Sequence, residues 1–148
     1  MNTHEQALIA KVRASGLEVI GIAGYPSNPS VDSAWRAVAN FEVRPIATTP
    51  LKGEDVARRL NALWLHSARS SGVLAEDDSF LITAVSTGSR DVGWVSVRWT
   101  PEVDVSRLVD DQGRVEFIAR SLSGHHICGV TAEEYEYWIV SLSITDDQ

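Results

Sequence analysis

Residues 54–72 read EDVARRLNALWLHSARSSG, and residues 93–99 read GWVSVRW. The change of period between these two stretches decides the fold. In the first, Val56, Leu60, Leu63 and Trp64 recur at i, i+4, i+7 and i+8, one apolar stripe of an amphipathic helix. Glu54 and Asp55 stand at its N-terminal end, where the helix dipole favours acids, and Gly72 supplies the stop. Arg58 and Arg69 fall on the far side, with Arg59 and His66 flanking the stripe; together with Lys52 they read as a solvated back. In the second stretch Val95, Val97 and Trp99 alternate against Trp94, Ser96 and Arg98, the period of a strand. Trp94 and Trp99 therefore sit on opposite faces of one strand.

Upstream of the helix, Thr3 and Gln6 have the spacing of a capping box, and Ala7, Leu8 and Val12 follow at helical spacing up to Gly16. The expectation is a first helix over about residues 4–15. Leu17 to Ala23 predicts a buried strand. Tyr25 to Ser30 is a turn cluster, and Ser30 caps a short helix carrying Val31, Ala34, Trp35 and Val38. Phe41 to Ala47 alternates like a second strand, with Pro45 placing it at an edge or a bulge.

Downstream the pattern is all period two. Strands are predicted over Phe80–Val85, Gly93–Trp99, Arg114–Leu122 and Tyr135–Ile144, with a polar loop over Ser86–Asp91 and a turn at Asp110–Gly113. In the last strand Trp138, Val140, Leu142 and Ile144 share one face, and Tyr137 and Ile139 the other. Helices early and short-linked strands late predict an α+β domain, with N-terminal helices on a mainly antiparallel sheet and a C-terminal strand meander. The 148 residues suit a single globular domain over 1–148.

The composition is that of an ordinary folded domain, 44% hydrophobic and 22% charged. No apolar run approaches the roughly 20 residues of a membrane span, and the N-terminus lacks the form of a secretory signal. One cysteine, Cys128, allows no internal disulfide. These features predict a cytoplasmic protein. The net charge of −7 is uneven. Residues 1–74 carry 8 Lys and Arg against 6 Asp and Glu, and residues 75–148 carry 5 against 14, so the second half holds −9. An acidic half repels phosphate backbones and anionic lipid, so neither nucleic acid nor membrane is an expected partner. It serves solubility, or it meets a basic protein.

Motifs for chemistry are sparse. There is no phosphate-binding glycine loop, no nucleophile elbow, no zinc-protease helix and no cofactor fingerprint. The densest reactive group is Ser121 to Gly129, which holds His125, His126 and Cys128. A Cys128 nucleophile with His125 or His126 as base defines one reading, a small enzyme. The competing reading makes Cys128 a small buried hydrophobe at a strand end and the histidines turn residues. The carboxylate pairs Glu76-Asp77-Asp78, Asp110-Asp111, Glu133-Glu134 and Asp146-Asp147 fall where loops or helix starts are expected. Five tryptophans supply core, and Trp94 is the candidate for a contact surface.

The segment Gly129 to Trp138, GVTAEEYEYW, combines Glu133, Glu134 and Glu136 with Tyr135 and Tyr137. In size, acidity and this acidic-aromatic segment the chain resembles the small cytoplasmic immunity proteins of bacterial toxin systems, such as contact-dependent inhibition. The resemblance implies a protein that neutralises a cognate toxin domain, often a basic nuclease, by tight binding and without a cofactor. Glu133, Glu134, Tyr135, Glu136, Tyr137, Asp110, Asp111 and Trp94 are the partner-binding candidates. A non-catalytic subunit of a larger assembly is a further reading of the same features.

Overall fold

The computed structural model describes residues 3–23, 29–40 and 42–144. In chain order the elements are α1 (Thr3–Ala14), β1 (Glu18–Ile22), α2 (Val31–Val38), β2 (Ala47–Pro50), α3 (Val56–Ser70), β3 (Ser79–Ala84), α4 (Ser89–Val92), β4 (Val95–Arg98), a 3-10 turn (Val105–Arg107), β5 (Phe117–Arg120), β6 (His126–Ala132) and β7 (Glu136–Ser143). The strands form one antiparallel sheet in the order β1-β4-β3-β5-β6-β7-β2. The fold is α+β, as predicted, and β5, β6 and β7 form a C-terminal meander.

Helices cover both faces of the sheet. On the first face α1 and α3 lay Leu8, Val12, Leu60, Trp64 and Ala68 over Phe80, Ile82, Phe117 and Cys128. The Trp64 ring packs 5.7 Å from Phe80 and 5.4 Å from Phe117, and its indole N–H donates to the Cys128 carbonyl at 3.1 Å. Asn61 pins the same helix to the 3-10 turn by accepting from the Val105 N–H at 3.0 Å. On the second face α2 sets Val31, Ala34, Trp35 and Val38 against Leu81, Ile118, Ile127 and Val140. Its N-cap is Ser30, which accepts from the Ser33 N–H at 3.1 Å as the sequence predicts. β7 divides its side chains between the two layers, Tyr137 and Ile139 to the first and Trp138, Val140 and Leu142 to the second. This double cover is why Trp94 and Trp99, on opposite sides, are both drawn inward.

Four expectations are corrected. Leu17–Ala23 is not a buried strand: β1 is an edge strand whose register shifts between Val19 and Gly21, and Ile20 is 54% exposed. The strand expected over Phe41–Ala47 is β2, which begins only at Ala47; Phe41 itself lies outside the described residues. Asn40 turns the chain there, its carbonyl accepting from Val43 and its side chain from Glu42, and the ladder with β7 begins only at Ile46. The polar loop over Ser86–Asp91 runs into the one-turn helix α4. Finally, His126–Ala132 is a full strand, not a turn followed by a strand end. Gly129 makes its close pairing with β5 possible, since a Cβ there would lie 2.8 Å from the Phe117 carbonyl oxygen.

Candidate functional site

One end of the sheet gathers the last residues of β3 and β6 and the first of β5 and β7. The short helix α2 stops before it covers this end, because Ala39 and Asn40 turn the chain away. The uncovered strip is a groove. Its main cleft has two chambers, of about 410 and 360 Å³, that share Trp35, Arg90 and Glu116. Val38, Asn40, Val43, Thr131, Glu133 and Trp138 also line the larger chamber. A further depression of about 350 Å³ shares Val85 and Ser86 with the smaller chamber and reaches Lys11 and Asp111.

The cations in this groove are already engaged. Arg90 donates to Asp32 at 2.8 Å, and its guanidinium lies 5.7 Å from the centre of the Trp35 ring. Lys11 donates to the carbonyls of Val85 and Val109 at 2.6 and 2.7 Å. The carboxylates are less committed. Glu133 accepts from the Thr131 hydroxyl at 2.8 Å. Glu116 makes no ion pair among the described residues. Burial pushes its carboxyl above the ordinary range; Arg114 pulls the other way, and the charges of Asp110 and Glu133 add to the rise. Glu116 is thus an acid for which burial and neighbouring carboxylates outweigh the Arg114 charge.

The predicted partner residues separate into two groups. Glu133 lines the cleft, Glu134 and Tyr135 are exposed at the tip of the β6–β7 hairpin beside it, and Asp111 lies at the far end of the groove. Tyr135 is 80% exposed. Glu136 is half-buried and accepts from the Trp138 indole at 2.9 Å. The others are interior and leave the contact set. Trp94 is buried, donates to the Pro29 carbonyl at 3.0 Å, and packs 5.6 Å from the guanidinium of Arg120. Tyr137 is buried, with its hydroxyl accepting from the Val115 N–H at 3.2 Å. Asp110 is buried in its own turn, where it accepts from the N–H groups of Gln112 and Arg114, both at 2.9 Å. Trp35, Arg90 and Glu116 carried no sequence signal of a site.

The thiol reading is also corrected. Cys128 is fully buried on the first face beneath α3, and burial pushes its thiol up to about 12, so no thiolate forms near neutral pH. His125 is exposed and His126 half-buried at the start of β6. Among the described residues no three His, Cys, Asp or Glu side chains gather closely enough to hold a metal, and no helix is long and apolar enough to cross a membrane.

Fold and groove together define an α+β protein with an acidic, aromatic-lined groove across one end of its sheet. Comparison with known protein families, with curated proteins and with solved structures finds no match to this chain.

Proposed function

We propose that this chain is a binding protein that captures a basic protein partner, and that in its most specific form it is an immunity protein neutralising a bacterial toxin domain. The observation that carries the reading is the charge state of the groove. Arg90 is paired with Asp32 and Lys11 is held by two carbonyls, while Glu116, Glu133 and Asp111 face the groove with no ion pair among the described residues. A groove in which carboxylates are in excess attracts the opposite sign, and low-dielectric walls focus that field. The net charge of −7 extends the attraction beyond contact. Nuclease toxins hold cations where they bind phosphate, so an acidic groove suits an inhibitor that covers such a site. Association would be fast at low salt and slow as ions screen it.

The test starts from the tagged chain as bait. Expected is a single stoichiometric partner with a basic domain, whose toxicity the chain suppresses. With that partner purified, the association rate should fall steeply with added salt. It should also fall in Glu116→Gln and Glu133→Gln. A partner whose capture ignores salt and both substitutions would overturn the reading.

A further inference from the structure

We infer that the larger chamber of the cleft is a socket for one arginine side chain of the partner, an assignment that rests on the basic-partner reading. Two indoles, Trp35 and Trp138, and two carboxylates, Glu116 and Glu133, line the same space of about 410 Å³. That volume suits one long side chain and is too small for a folded element.

The chemistry of the walls selects the occupant. A guanidinium is planar, weakly hydrated and carries its donors in a rigid fork, so it lies on indole faces and bridges carboxylates. An ammonium is a compact, strongly hydrated point charge and gains less from the rings. The protein's own Arg90 uses this mode on the Trp35 ring, 5.7 Å from its centre. Asp32 pairs with Arg90 and with Arg36, both at 2.8 Å, so it offsets only part of the Arg90 charge; the two carboxylates of the chamber, Glu116 and Glu133, still outnumber that cation and leave it open to a second one. The other polar groups of the wall are occupied: Thr131 donates to one Glu133 oxygen, Asn40 accepts from the Glu42 N–H, and the Trp138 N–H is bound to Glu136. Glu116 remains as the half-buried group that an incoming guanidinium would meet.

The experiment uses fluorescent hexa-arginine and hexa-lysine peptides, titrated with the whole chain at low salt and read by anisotropy. Expected is tighter binding of the arginine peptide by about fivefold or more. Glu116→Gln should weaken it about tenfold, and Glu134→Gln, on the exposed tip, less than about twofold. Near-ultraviolet circular dichroism confirms that each variant keeps its packing, and Glu133→Gln supplies a second variant within the socket. Equal binding of both peptides, with Glu116→Gln and Glu134→Gln alike in effect, overturns the socket and leaves the basic-partner reading standing. Binding of neither peptide overturns the socket and counts against the basic-partner reading as well.

Discussion

The indole N–H of Trp64 donates to the Cys128 carbonyl across 3.1 Å, joining the middle of α3 to a central strand 64 residues away in sequence. The same ring packs against Phe80 and Phe117, so one side chain ties β3, β5 and β6 to the helix. Trp64→Ala removes the bond and leaves a large cavity, and should cost about 3–5 kcal/mol. Trp64→Phe retains part of the volume but leaves the Cys128 carbonyl without this donor, and should cost less. Urea unfolding monitored by circular dichroism measures both. A loss below about 1 kcal/mol for Trp64→Ala would show that α3 does not anchor the sheet.

Cys128 lies beneath that contact, and its thiol is pushed up to about 12 by burial. Labelling with a thiol reagent at pH 8 should be negligible in the native state. It should appear in proportion to unfolding as urea is added, because the thiolate forms only when the core opens. Rapid labelling without denaturant would restore the thiol-enzyme reading. This is the cheapest way to separate it from the binding reading.

The contrast between Trp64 and Cys128 also explains what the sequence makes legible. Trp64 sits in a stripe repeated over four turns, so the helix and its buried side follow from local spacing. β7 is legible for the same reason, its alternation sending Tyr137 and Trp138 to different layers. β6 hides because helices cover both faces of the sheet. Its residues Ile127, Cys128, Gly129 and Val130 are all buried and lack alternation, and Gly129 argues locally against a strand. β2 slips because Pro45 and the Asn40 turn interrupt the alternation before the ladder begins at Ile46. The site is harder still. Glu133 stands out in an acidic run, but Trp35 of α2, Arg90 of α4 and Glu116, just before β5, come from three separate segments and meet only through the sheet. No local pattern encodes that meeting.

Asp110 makes a pH prediction of one sign. Burial raises its pKa, but the N–H groups of Arg114 and Gln112 and the Arg114 charge outweigh that effect and hold the carboxyl below its ordinary value of 3.8. A carboxyl lowered by folding contributes stability that is present above its unfolded value and lost as pH falls through the folded one. Asp110→Asn keeps one oxygen acceptor and loses the charge. It should cost about 1–2 kcal/mol at pH 7, and the two proteins should converge in stability toward pH 2. Thermal melts across that range test the pair. A constant difference at every pH would mean that the turn depends on shape and not on the carboxylate.

Glu116 carries the opposite sign. Burial and the neighbouring charges of Asp110 and Glu133 raise its carboxyl above 4.5, against the pull of Arg114. The folded state therefore holds this proton more tightly than the unfolded chain. Its contribution to stability is greatest below the unfolded value and falls as pH rises through the folded one. Arg90, which also lines the cleft, is committed to Asp32 and does not reverse that slope. Glu116→Gln should flatten this part of the pH profile and leave the protein as stable as, or more stable than, the parent at pH 7. The same change should slow partner capture, since it removes one of the unpaired carboxylates of the groove. A residue whose loss stabilises the fold while weakening binding is retained for binding. Melts at pH 4 and pH 7, beside association rates at pH 7, decide the matter. If Glu116→Gln is less stable at pH 7, the carboxylate is a structural group of the fold and the groove loses its principal free charge.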